Sequence, residues 1–310
     1  TAWRSVEGVE LVGAYGADSQ RLASYADRQS LQPFADLADL IDRADLIDIV
    51  SANRDHFAHA VQAVRAGRAI VVEKPLCTTL NNAESLQALV EEAGVLGAVV
   101  SQHRFHPANR AVKRRLQRDG GIHFVNAVCV LPRPASYYAD HGGWRNSATA
   151  AGGGVLIHQA IHYIDLFIWW HGYPASWDGH WLFEDPQDDA VERRFWGELQ
   201  SEGGVTIQFL FSTEPLGQSC ERISFYGADA AFDVGPLGVF DHGNKGHAVK
   251  GLRFLQSRLR KPPNSTDLLR AQFADVLAAW KRGGQPEVST ADGTRAIRLV
   301  DALYTSARVK

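Results

Sequence analysis

The chain has 310 residues, 45% apolar and 22% charged, with a formal net charge of −3. That length suffices for two globular domains, and the charge excludes a basic nucleic-acid binder or a polybasic membrane surface. Cys77, Cys129 and Cys220 stand far apart with no C-x-x-C spacing, and no apolar run approaches the roughly 20 residues of a membrane span. A disulfide framework and a cysteine zinc site are thereby excluded, and the composition fits a reducing cytoplasm.

Val9 to Tyr15 has the pattern of a strand, and Asp18 can cap a helix running from Arg21 to Arg28. Asp36 to Arg43 predicts a short helix. Leu46 to Ser51 predicts a strand and Asp55 to Ala66 a helix closed by Gly67. Ala69-Ile70-Val71-Val72 then reads as a strand buried on both faces and ended by Glu73-Lys74-Pro75. Asn81 to Ala93 predicts a helix stopped by Gly94, and Ala98 to Ser101 another apolar strand. Strands alternating with helices of this length mean βαβ units, hence a doubly wound, Rossmann-like parallel sheet.

The pattern changes after Gln102. A helix over Pro107 to Arg118 and a strand over Ile122 to Leu131 precede an aromatic loop, Pro132 to Ala151. Gly152 to Trp170 reads as one helix. Strands dominate Ser176 to Val234, with a hairpin at Gly203-Gly204. Pro236 to Gly246 and Lys261 to Ser265 are loop-like, and helices over Thr266 to Lys281 and Asp292 to Arg308 close the chain. The second half is therefore α+β around a largely antiparallel open sheet, and the domains are expected at 1–101 and 102–310.

Four stretches carry candidate chemistry. Lys74 sits where a buried strand empties at its carboxyl end, the ligand side of open α/β sheets. It could donate to a substrate oxygen, or belong to a surface Glu/Lys pair. His158, His162 and Asp165 stand at i, i+4 and i+7, within roughly a 60° arc of one helix face. One of the histidines could act as a general base near neutral pH. The same spacing also suits a metal, though no Glu lies inside it as in H-E-x-x-H, or a helix end with buried histidines. The glycines before them would let a ligand or another backbone approach. Arg104 could anchor a polar ligand or tie two domains together. Tyr137, Tyr138, Trp144 and Arg145 suit a sugar ring and its hydroxyls, or pin a loop. Ser51-Ala52-Asn53-Arg54-Asp55-His56 forms a strand-to-helix corner that could hold a nucleotide, or simply cap a helix.

Together these motifs resemble, in order and spacing, the Gfo/Idh/MocA family of NAD(P)-dependent oxidoreductases. Ser51 to His56 is similar to T-P-N-x-x-H with Ala52 for proline. Glu73-Lys74-Pro75 matches the signature tripeptide, Trp144-Arg145 the W-R pair, and Gly152 to Asp165 the G-G-G-x-L-x-[D/N]-x-x-x-H-x-x-D segment. The resemblance covers essentially the whole chain. It implies hydride transfer between NAD or NADP and a sugar, cyclitol or nucleotide sugar. Lys74 would hold the reacting hydroxyl, and His162 would be the acid/base with His158 beside it. Ser51, Asn53, His56, Glu73 and Lys74 would line the cofactor. Arg104, Trp144, Arg145, His158, His162 and Asp165 would line the substrate, with no metal. It also implies a homodimer or homotetramer, and a Lys74-Pro75 bond that is often cis in the family.

Besides Ala52, the sequence departs from the family in three places. His158 stands where an acid or amide is usual. Gly16 stands where a carboxylate for the ribose is expected, which leaves NAD and NADP both open with Asp18 as a substitute. No G-x-G-x-x-G is present, and the chain opens on Thr1 and holds no methionine. About 20 or more residues are therefore expected before Thr1, by comparison with the standard βαβ unit.

Overall fold

The computed structural model describes residues 2–119, 121–182, 189–215, 217–228, 230–236, 238–242 and 263–309. By its contacts the chain divides into two units, Thr1–Gln102 with Ser265–Ile297, and His103–Asn264 with Arg298–Lys310.

The first unit is built of β1 (Ala14–Tyr15), α1 (Ser19–Gln29), β2 (Pro33–Phe34), α2 (Leu37–Arg43), β3 (Leu46–Ile49), α3 (His56–Arg65), β4 (Ala69–Val72), α4 (Leu80–Ala93) and β5 (Gly97–Val99). Every strand pairing is parallel, β1 with β2 and β3-β4-β5 in that order. The helices start where capping side chains dictate. Asp18, Asp36 and Thr79 each accept a backbone N–H of the first turn of α1, α2 and α4. In β4 the β-branched run is buried at every position, with Ile70, Val71 and Val72 wholly inaccessible. Burial on both faces contributes roughly 1.5–3 kcal/mol per side chain, as an upper bound. The strand expected over Val9 to Tyr15 shortens to Ala14–Tyr15, and Pro33–Phe34, not anticipated as a strand, is its partner.

The second unit contains α5 (Pro107–Asp119), β6 (Ile122–Val130), α6 (Ala135–Ala139), α7 (Ala148–Ala151), α8 (Ile161–His171), β7 (Pro174–Leu182), β8 (Arg194–Ser201), β9 (Thr206–Ser212), β10 (Cys220–Gly227), β11 (Ala231–Gly235) and β12 (Gly238–Asp241). The expected hairpin joins β8 to β9. The chain then supplies α9 (Ser265–Lys281) to the first unit, passes through α10 (Thr290–Ser306), and ends in β13 (Arg308–Val309). The eight strands lie in the order β12-β11-β10-β6-β9-β8-β7-β13. All neighbours are antiparallel except β6 with β9 and β7 with β13.

Three expectations change. The closing helices were expected in the second domain. Instead Phe273, Val276 and Ala279 of α9 pack with Trp3, Val71, Ala98 and Val100, so α9 completes the first unit's core. Trp3 stacks on Phe273 with ring centroids 4.1 Å apart and planes 6° from parallel. The loop expected over Pro236 to Gly246 contains β12, while 243–246 and the start of the 261–265 loop lie outside the described residues. The single helix expected over Gly152 to Trp170 is broken, for a reason that belongs to the site.

Candidate active site

In the first unit the site residues gather at the carboxyl ends of β3 and β4. The Lys74-Pro75 bond is cis. His56, buried at the start of α3, bridges this corner to the preceding one. Its Nδ1 lies 2.8 Å from the Pro75 carbonyl and its Nε2 3.1 Å from the Ser51 carbonyl. A ring donating to a carbonyl fixes where the chain carrying Lys74 runs. Burial lowers the His56 pKa, and the two carbonyl contacts oppose that shift. His56 is thus a pin between two corners, not a group turned toward a ligand. Gly293 of α10 lies against Leu76 and Val99, and a methyl there would crowd the turn just after Pro75.

Glu73 is pushed up from its ordinary pKa by burial, with Lys74 pulling the other way. The Lys74 backbone N–H donates to Glu73 Oε2 at 3.1 Å. Ser51 Oγ lies 3.1 Å from His59 Nδ1, and Asn53 is buried in the turn that leads into α3. Val50, just past β3, is 67% exposed, an apolar surface at a strand end that suits the flat ring of a nucleotide. Asp18, the substitute ribose ligand, is engaged otherwise: it caps α1 through Arg21 N at 3.0 Å and pairs with the Arg21 side chain. The strand ends thus fit the ring and ribose portions of a dinucleotide. No glycine-rich strand-to-helix turn occurs among the described residues to cradle its phosphates.

In the second unit the chemistry is arranged around a π-helical turn, Leu156–Ala160, which runs into α8. Its cause is Glu192, 2% exposed. Glu192 accepts three successive backbone N–H groups: Gly154 on Oε2 at 2.7 Å, Val155 on its carbonyl at 3.0 Å, and Leu156 on Oε1 at 2.9 Å. Tyr304 OH adds a fourth donor, 2.9 Å from Oε1. Donors that would have entered an α-helical ladder are drawn sideways, and α7 ends at Ala151. The glycines serve this arrangement. A methyl on Gly154 would strike the Glu192 backbone, and one on Gly153 (φ 138°) the Tyr304 ring. They make room for the Glu192 backbone and the Tyr304 ring, and close approach of another backbone was one of the two expectations for them. Burial raises the Glu192 pKa to about 7, against the pull of the Leu156, Tyr304 and Gly154 donors on its carboxyl.

The turn lies between His158 and the other two residues of the expected face, His162 and Asp165, which both stand on α8. A π-turn adds a residue to the helical period, so the 100° spacing fails across it. His162 stacks on His103, centroids 4.4 Å apart and planes at 10°. Asp165 takes a bidentate pair from Arg104, Nε to Oδ2 at 2.8 Å and Nη2 to Oδ1 at 2.5 Å, both residues nearly inaccessible. His158 instead meets Trp144, centroids 5.5 Å apart. Among the described residues no three metal-ligating side chains converge. Arg104 and Asp165, expected on the substrate, satisfy each other in the interior and fix the turn that carries His103. Arg145 stands over Trp144 and Tyr137 at 4.8 and 4.9 Å. His103, Glu192 and Tyr304 escaped the sequence reading. The signal for Glu192 was an acid between Val191 and the apolar strand head, which is weak.

A parallel α/β unit with a lysine at the end of its central strand is joined in one chain to a unit built on a large open sheet. Two family profiles match in order: an oxidoreductase family with an NAD-binding Rossmann fold over residues 1–101, and its C-terminal α/β domain over residues 113–310. The chain belongs to this oxidoreductase family, Gfo/Idh/MocA, whose cofactor is NAD(P). It is 25% identical over 259 residues to 1,5-anhydro-D-fructose reductase of Ensifer adhaerens, covering 78% of this chain and 71% of that protein. It is 25% identical over 216 residues to D-glucoside 3-dehydrogenase of Escherichia coli (strain K12), covering 63% and 60%. Among solved structures, levoglucosan dehydrogenase in complex with NADH and levoglucosan superposes with a TM-score of 0.85 at 19% identity, covering 96% and 87%. The WlbA dehydrogenase of Bordetella pertussis, in complex with NADH and UDP-GlcNAcA, gives 0.81 at 22%, covering 96% and 88%. These structural likenesses bear on the fold. Among the described residues no helix is long and apolar enough to cross a membrane.

Proposed function

We propose that the protein is a dehydrogenase acting on a secondary alcohol of a sugar, cyclitol or nucleotide sugar. The observation that carries this is Lys74, fixed at the carboxyl end of the buried central strand β4 in a chain whose two halves match the family in order. NAD(P), when bound, accepts or returns the hydride. Lys74 donates to the reacting oxygen and favours its alkoxide, and His162 holds the hydroxyl proton. Ser51, Asn53 and Glu73 shape the cofactor corner, with His56 as its pin. Trp144, Arg145 and His158 contact the substrate, while Arg104 and Asp165 orient α8 behind them. The relatives named 1,5-anhydro-D-fructose reductase and D-glucoside 3-dehydrogenase support a sugar substrate. The chain acts as a homodimer or homotetramer, which sizing by light scattering checks.

The test is Lys74→Ala, assayed with a sugar panel and NAD or NADP. Turnover should fall at least ~100-fold with the circular dichroism unchanged; near-normal turnover sinks the assignment. A binding protein without turnover is the second reading, favoured by the engagement of Asp18 in its helix cap. Fluorescence titration with NADH and NADPH separates the two, since absence of binding leaves only the second.

A further inference from the structure

We propose that the substrate carries an oxyanion substituent, received by Arg133, Arg145 and Arg193. This rests on the sugar-dehydrogenase reading and narrows its substrate class to phosphorylated, nucleotide-activated or acidic sugars.

Three guanidinium groups are held within one small aromatic cluster. Arg133 and Arg145 lie over Tyr137 at 5.4 and 4.9 Å, Arg145 also over Trp144 at 4.8 Å, and Arg193 over Tyr138 at 3.2 Å. Tyr137 and Tyr138 meet edge to face at 5.1 Å, which joins the set into one cluster. Three other arginines of this unit are answered by carboxylates. Arg104 pairs with Asp165, Arg194 with Glu214 and Arg222 with Asp233, each at 2.5 Å. Among the described residues no carboxylate answers Arg133, Arg145 or Arg193. Arg193 Nη2 donates to the Asn146 amide oxygen at 2.8 Å, and Arg133 Nε is shut from solvent with no acceptor.

Gathering three like charges without a counter-charge is costly, and ring faces offset only part of that cost. Stacking occupies the flat faces of a guanidinium and leaves its N–H edges, the geometry that takes a phosphate or carboxylate in plane. The cluster also adjoins the candidate catalytic turn. Trp144 packs on His158, and Gln159 Nε2 donates to Tyr137 OH at 3.2 Å. A sugar ring at the histidines therefore has an anion receptor within its own length.

The experiment is calorimetric binding of glucose, glucose 6-phosphate, UDP-glucose and glucuronate to the full chain, to Arg133→Gln and to Arg145→Lys. At least one anionic probe should bind ~10-fold or more tightly than glucose, and either variant should cut that preference ~10-fold, the size of a charge-assisted hydrogen bond. The favoured probe separates a phosphate ester from a diphosphate or a carboxylate. Equal binding of glucose and the anions overturns the proposal. So does a preference that survives both substitutions while melting temperature falls, because the arginines then only brace the loop. NADH titration on the same samples keeps the readings apart. Anion preference without NADH binding fails the dehydrogenase reading alone, and turnover of sugars without preference for charge fails this inference alone.

Discussion

His56 shows how one side chain converts two loose corners into one rigid part. Its ring stands between two carbonyls, those of Ser51 and Pro75, and is nearly inaccessible to water. Burial lowers its pKa, so the unfolded chain takes up a proton more readily than the folded one. The stability it contributes is therefore complete above its ordinary value of 6.5 and is lost as pH falls below it. In His56→Asn the acid-side loss should shrink, and stability near pH 8 should drop by roughly 1–3 kcal/mol as one buried carbonyl loses its donor. Urea midpoints at pH 5 and pH 8 check both parts, and an unchanged acid-side slope would remove His56 as its source.

At the scale of elements, the Gly152 to Trp170 helix is broken where α7 closes on left-handed Gly152 and Glu192 takes the N–H groups that follow. Glu192 draws off the N–H groups of residues 154 to 156, and α8 begins only after the π-turn. With its pKa raised to about 7 from 4.5, this carboxyl keeps a proton in the folded chain that the unfolded chain has released. Its contribution is present below about 4.5 and fades as pH rises toward 7, opposite in sign to His56. Thermal melts of Glu192→Gln should thus decline less between pH 5 and 7 than those of the parent, the remainder coming from Asp48, whose pKa burial also raises to about 7. A parallel decline in both proteins would contradict this.

The legibility of the elements follows from the range of the forces that made them. The β4 strand and its Lys74-Pro75 stop were readable because a β-branched run and a proline act over a few residues. The glycine segment was readable only as a motif. Its partner Glu192 lies 38 residues from Gly154, and Tyr304 lies 112 from Glu192, so no local pattern announces either. A separation of 61 residues likewise hid the pairing of Arg104 with Asp165.

At the scale of the molecule, a buried glutamine shows how the chain's last third serves its first. Gln272 on α9 accepts from Ser101 N at 3.1 Å and donates to the Val99 carbonyl at 2.7 Å, finishing the end of β5 across more than 170 residues. Gln272→Leu keeps bulk but strands both backbone groups. It should cost roughly 1–3 kcal/mol of stability each way it is measured, and a urea midpoint equal to the parent's would show that water replaces the amide. The contact grouping of 265–297 with the first unit was not legible in the sequence for this reason, because contacts spanning the chain leave no trace in local composition.

The return of α9 to the first unit has a consequence for how this gene can be cut. A stop codon after Asn264 would appear, on a map of the coding sequence, to trim only the tail of the second half. It would instead strip the cover from Trp3, Val71, Ala98 and Val100 and leave the β5 end without Gln272. The fragment 1–101 expressed alone should be insoluble, while a fusion of it to 265–297 through a flexible linker should recover soluble material. The nucleotide-binding half is thus written at two addresses in the message, and each needs the other to complete its core.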